Sequence, residues 1–195
     1  WIISVNSGMQ TPAGFGIDEN GQFYATDWLA VVFNPSMPYR LVHTLLGAYL
    51  TTALVVGAVG AYHLLNDRRL GRAVQPATRI MFAMAIAMVA VTAPLQVLAG
   101  HEHGVNTLEH QPAKIAAMEG HYESHDRAAP LILFGVPDDA AQVMRHKIEI
   151  PGLASLVLQH DIEAPTPGLD KVAPENRAKV AFPFYAFRVM VGLGM

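Results

Sequence analysis

No cysteine occurs in this chain of 195 residues, which excludes disulfides, thiolate metal sites and cysteine nucleophiles. Any metal held here must use imidazole, thioether, carboxylate or the ring of a cofactor. Charge is scarce as well. Charged residues make up 15% of the chain, against roughly 25% in an ordinary soluble domain. There is no basic stripe of the kind that binds nucleic acid. There is no Walker loop, no Gly-x-Gly-x-x-Gly and no Ser/His/Asp order, so nucleotide binding and nucleophilic hydrolysis have no support. No basic region and small-residue cleavage site precede the first apolar run, which argues against a signal peptide. Internal repeats, heptads and low-complexity tracts are also missing.

What is present is hydrophobic. Apolar residues make up 52% of the chain, with mean hydropathy +0.27. Residues 41–66 and 80–100 contain no Asp, Glu, Lys or Arg, and each run reaches the roughly 20 residues needed to cross a bilayer. Residues 1–10 read as the end of another span and 183–195 as the start of a further one. The chain opens without methionine and both ends fall in apolar stretches; the expectation is an internal piece of a longer protein. The fold class expected is all-α, a multi-span helical membrane protein with a long external loop containing short helices.

The charges orient these spans. The short connector 67–79 carries Arg68, Arg69, Arg72 and Arg79 against Asp67, so the positive-inside rule places it in the cytoplasm. Connector 11–40 and the long segment 101–182 then lie outside. The latter holds more acids than bases and is too rich in apolar clusters for a disordered linker. Within it, residues 111–123 read as a short helix with Pro112 in its first turn and Gly120 near its end. Residues 129–137 and 148–158 are apolar patches, and 164–170 a breaker-rich loop.

Two side chains stand out for metal chemistry. His43 sits at the external end of the span 41–66, where an ionisable residue is by default a functional hypothesis, and neutral imidazole binds haem iron well. Met190 lies at the external end of the last span, where its thioether could complete a His/Met pair that raises the haem potential. Arg188, two residues before it, needs an anionic partner within an apolar helix: a haem propionate or a carboxylate. His63 lies roughly 30 Å along the helix from His43 and cannot share its cofactor. The external His101, His103, His110, His121 and His125 match no zinc template and read as solvated loop residues.

Five motifs then carry a resemblance over essentially the whole chain: Met9-Gln-Thr-Pro-Ala-Gly, Phe33-Asn-Pro-Ser-Met-Pro-Tyr-Arg-Leu-Val-His-Thr, Gln111-Pro-Ala-Lys-Ile-Ala-Ala-Met-Glu, Gly168-Leu-Asp-Lys and Phe184-Tyr-Ala-Phe-Arg-Val-Met. In that order they resemble subunit I of the cytochrome bd quinol oxidases. The resemblance implies that His43 and Met190 are the axial ligands of a low-spin haem b, with Arg188 beside it. It implies that segment 101–182 is the quinol-oxidation loop, with Lys171 and Glu175 as the matching lysine and glutamate. A high-spin haem b and a haem d are implied in the full-length protein, on ligands outside this chain. Further implications are a quinol substrate, an oxidase subunit II, a small accessory subunit, and a bacterial inner membrane location with 101–182 on the periplasmic or external side. Two other readings stay open: a helical transporter or scaffold without haem, and a non-oxidase haem cytochrome.

Overall fold

In the computed structural model, which describes residues 1–194, the chain divides into two compact units, Trp1–His103 and Gly104–Met195. Met195, the last residue of the expected final span, lies outside the described residues.

The first unit begins with a short helix α1 (Ile2–Gly8), a two-stranded antiparallel hairpin of β1 (Phe15–Ile17) and β2 (Phe23–Ala25), and helix α2 (Trp28–Val32). Asp27 caps α2, its side chain accepting from the amides of Leu29 and Ala30, as a residue at this position should. Helix α3 (Met37–Arg69) follows, with Pro38 in its first turn. Helix α4 (Pro76–His110) comes next and carries Pro94 in its interior. Both α3 and α4 are long and apolar enough to cross a membrane. At 1.5 Å per residue each extends about 50 Å, more than the roughly 30 Å hydrocarbon core. Their outward faces are apolar, with Leu54, Val55, Ile80, Met84, Val91 and Leu98 all exposed, which suits lipid rather than water. They meet through small residues. A Cβ on Gly57 would touch that of Ala85 at 3.5 Å, and one on Gly60 would press on Phe82 at 3.1 Å, the close backbone approach that packs helices within lipid.

A buried polar knot fixes the entry into α3. Ser4 Oγ donates to the carbonyl of Val32 (2.8 Å), Asn34 Nδ2 donates to the carbonyl of Ser4 (3.2 Å), and the amide of Ser36 donates to Thr11 Oγ1 (3.1 Å). Ser4, Ser7, Thr11, Asn34 and Ser36 are all buried. Because each bond satisfies a group removed from water, the knot holds α1 against the start of α3.

The second unit corrects the all-α expectation. Besides α5 (Pro112–Glu119), α6 (Leu153–Gln159), two single 3₁₀ turns (Leu169–Lys171 and Pro174–Asn176) and α7 (Ala181–Gly194), it contains an antiparallel hairpin of β3 (Leu131–Asp138) and β4 (Val143–Ile150). Residues 131–137 of the apolar stretch at 129–137 and residues 148–150 of that at 148–158 are strand residues. Ile132, Phe134 and Val136 lie opposite Glu149, Ile148 and Arg145, with register shifts between them. Short apolar runs do not distinguish a strand from a helix by pattern alone. Helix α4 continues without a break through 101–110, the first residues of the expected external segment.

The core of this unit is Ala116, Ala117, Tyr122, Ile132, Leu169, Val180 and Phe184, drawn from α5 and the turn after it, β3, the first 3₁₀ turn, and α7 with the residue before it. Gly120 ends α5 at φ 78°, in the left-handed region that glycine favours. A Cβ there would come within 2.5 Å of Met144 Cε and 3.0 Å of Phe184. Gly120→Ala is expected to cost about 1–3 kcal/mol, from the positive φ and the overpacking together. Differential scanning calorimetry of the purified protein checks this, and an unchanged melting temperature would remove Gly120 from the hinge of this core.

Candidate functional site

His43 lies two turns into α3 and is half-buried against a face of α4 made by Gln96, Gly100 and His103. Its Nε2 is 3.3 Å from the Gln96 amide nitrogen, and its ring centroid is 5.8 Å from that of His103. Gly100 makes the close approach possible: a Cβ there would meet His43 Cε1 at 3.2 Å. The Nδ1 of His43 is buried with no hydrogen-bond partner, a costly arrangement for an imidazole with no further role. Positions 96, 100 and 103 share one helical face. Sequence reading passed over Gln96 and Gly100, although their spacing of four carried that signal.

Arg188 and Met190 lie on α7, in the second unit. Met190 is 55% exposed, so its thioether is committed to no core. Arg188 is committed. Its Nε donates to the carbonyls of Ile132 (3.0 Å) and Leu133 (3.2 Å), and Nη1 donates to those of Met118 (2.7 Å) and Phe184 (3.2 Å). Nη2 donates to the Ile132 carbonyl and pairs with Glu119 Oε2 at 3.4 Å. The guanidinium also lies over the Phe184 ring, 3.5 Å from its centroid. Of the two anions expected for Arg188, the structure supplies the carboxylate. Burial pushes the Glu119 carboxyl up, and the facing Arg188 only partly offsets it. Such a carboxyl holds its proton closer to neutrality than a surface one.

The second unit also holds an open cavity of about 610 Å³. Lys114, Ala117, Pro167, Lys171, Val172 and Pro183 are among its lining residues. Its walls are apolar with two ammonium groups, a combination that suits a flat, mostly apolar molecule bearing polar oxygens. Lys171 is therefore a wall residue. Glu175 is exposed on the next 3₁₀ turn and is not part of the wall. Lys114 and Glu119, both on α5, are the residues that sequence reading missed here. They stand within a quoted motif, yet nothing in its pattern distinguishes them before α5 is packed.

The loop histidines are not uniformly solvated. His121 is 2% exposed, and its Nε2 lies 2.8 Å from the carbonyl of Pro130. Burial holds its pKa down at about 4. Its ring meets that of His125 at 5.1 Å, edge to face. Among the described residues no three His, Cys, Asp or Glu side chains gather into a metal cluster.

A family model for cytochrome bd terminal oxidase subunit I matches residues 1–195. The chain belongs to the cytochrome bd terminal oxidase subunit I family. Among curated relatives it is 29% identical to a cytochrome bd ubiquinol oxidase subunit 1 of Bacillus subtilis, covering 100% of this chain and 42% of the relative. It is 28% identical to the cytochrome bd-II ubiquinol oxidase subunit 1 of Escherichia coli, covering 90% of this chain and 34% of the relative. In a solved structure of the bd oxidase from Geobacillus thermodenitrificans, one chain superposes with a TM-score of 0.85 at 31% identity, over 99% of this chain and 43% of that one. The chain thus spans less than half the length of these relatives.

Members of this family carry haem, and the donor chemistry here fits it. His43 presents an imidazole with a buried, unpartnered nitrogen on a site cleared by a glycine. Met190 presents an uncommitted thioether. No thiolate competes for iron.

Proposed function

We propose that this segment is the quinol-oxidising, low-spin-haem part of a membrane quinol:oxygen oxidoreductase, acting together with the remainder of its own subunit. The observation that carries this reading is the match to the family along the whole chain, joined to a cavity of suitable chemistry in the segment expected to meet quinol.

In this reading His43 and Met190 would hold the haem, and Arg188, its charge matched by Glu119, would stand beside it. When bound there, a low-spin haem b would supply one-electron transfer. The chain's own residues do the rest. The apolar wall of Ala117, Pro167, Val172 and Pro183 takes the quinol ring and excludes water. Lys171, with Lys114 on the same wall, holds a ring oxygen and favours its deprotonated form. Carboxylates of the loop accept the released protons. Glu175 is the acceptor suggested by resemblance. Proton release on the external side, with proton consumption from the cytoplasm elsewhere in the enzyme, makes the reaction electrogenic. An oxidase subunit II, a small accessory subunit, a high-spin haem b and a haem d complete the assembly, which resides in a bacterial inner membrane with 101–182 on the external face.

The test is quinol-dependent oxygen uptake by the full-length oxidase. Lys171→Ala and Glu175→Ala are expected to raise the quinol concentration needed for half-maximal rate about 10-fold, the effect of losing one interaction of about 1.4 kcal/mol, with haem content retained. Normal quinol kinetics in either variant would remove that residue from the site. A full-length protein that carries haem but oxidises no quinol would overturn the reading as a whole.

A further inference from the structure

We propose that Arg40 is the seat of a haem propionate in the first unit, its guanidinium held ready by Asn6 and Gln10; the inference rests on His43 being a haem ligand. Arg40 precedes His43 by three residues on α3, so the two side chains lie on one helical face, one turn apart. Both line a second cavity of about 230 Å³, together with Ile2, Ile3, Asn6 and His103. That volume has room for a carboxylate arm rather than for a whole macrocycle.

The charge of Arg40 has no counterpart. Its two terminal nitrogens donate to Asn6 Oδ1 and Gln10 Oε1, which are neutral amide oxygens. Its Nε is buried without a hydrogen-bond partner. Every ion pair among the described residues lies in the second unit, and none includes Arg40. A half-buried cation at the end of a membrane helix is costly unless an anion approaches it. The tethers explain how the site stays organised without that anion. Asn6 is on α1, Gln10 follows it, and the polar knot of Ser4, Asn34 and Ser36 clamps α1 to the start of α3. The fork of the guanidinium is therefore pre-set rather than ordered on binding.

The occupant follows from the chemistry. A haem held by His43 brings two carboxylate arms that must find cations or water. Arg40 is the nearby cation whose charge remains uncompensated, and the geometry of guanidinium suits carboxylate. The consequence is electrostatic. A fixed positive charge favours the less positive, reduced state of the iron, and it lowers the proton affinity of the propionate. Removing it must lower the reduction potential and move the onset of the potential's pH dependence to higher pH.

The experiment is a spectroelectrochemical titration of the low-spin haem in the full-length oxidase at several pH values. Arg40→Gln is expected to give a lower potential than the parent and a pH dependence beginning higher. Arg40→Lys, which keeps the charge, is expected to lie close to the parent. Asn6→Ala, which keeps Arg40 but frees one tether, is expected to fall between. An unchanged potential and pH profile in Arg40→Gln, or in Asn6→Ala where Arg40→Gln does not load haem, overturns the proposal. Because the readout is taken on variants that retain the low-spin band, it is separate from the test of His43 itself, in which that band is lost.

Discussion

His43→Ala in the full-length protein is expected to remove the low-spin b-type band from the reduced-minus-oxidised spectrum. The imidazole stands in a prepared place. Gly100 clears its approach, Gln96 borders one ring nitrogen, and the other nitrogen is buried with nothing to bond. Alanine leaves neither a donor nor a packed ring. The nearest group able to stand in is His103, whose ring centroid is 5.8 Å away. This makes the result decisive in either direction. A band that survives His43→Ala and disappears only when His103→Ala is added would transfer the ligand to His103 and overturn the assignment. Met190→Leu is expected to alter the same band without abolishing haem binding, and to lower the potential, because a thioether ligand raises it. An unchanged spectrum in Met190→Leu would remove the methionine from the iron.

The second large effect is on stability. Arg188→Ala is expected to destabilise the second unit by about 3–5 kcal/mol, the range for removing one partner of a buried ion pair. The loss exceeds that of a surface pair because the Arg188 and Glu119 side chains are only 18% and 7% exposed. It also strips donors from the carbonyls of Met118, Ile132 and Leu133, and with them the stitching of α7 to β3 and to the end of α5. Arg188→Lys retains the charge but not the fork and is expected to lose somewhat less. Adding Glu119→Gln to Arg188→Ala should recover part of the loss, since the uncompensated carboxylate is then gone. Thermal unfolding and limited proteolysis within 101–182 measure both. A melting temperature in Arg188→Ala equal to the parent's would show that the pair does not hold this unit together.

Membrane character and the long helices were legible in the sequence because they depend on length and hydrophobicity alone. Runs without charge at 41–66 and 80–100 correspond to α3 and α4, although α4 extends to His110. His43 stood out as a candidate because an ionisable group in such a run is by default a functional hypothesis. The hairpin of β3 and β4 was not. Its apolar residues form short clusters whose period is broken by register shifts, so strand and helix look alike until Ile132 is seen in the core beside Ala116 and Phe184. Arg188 shows the same limit. Its need for an anion was evident from its place in an apolar helix, but the anion's identity was not, because Glu119 lies 69 residues away.

The amino-acid sequence by itself determined that the chain carries two runs long and apolar enough to cross a membrane, that any metal it holds is bound without thiolate, and that its motifs follow the order of one oxidase subunit. These properties reside in composition and in local runs. Tertiary structure alone decided which partners those residues meet: Gln96 and Gly100 against His43, Glu119 against Arg188, and Asn6 and Gln10 against Arg40, with Lys114 and Lys171 lining one cavity. The physical reason is that hydrogen bonds, ion pairs and cavities act over a few ångströms in space. The residues that make them here are separated by tens of positions along the chain and are brought together only by packing.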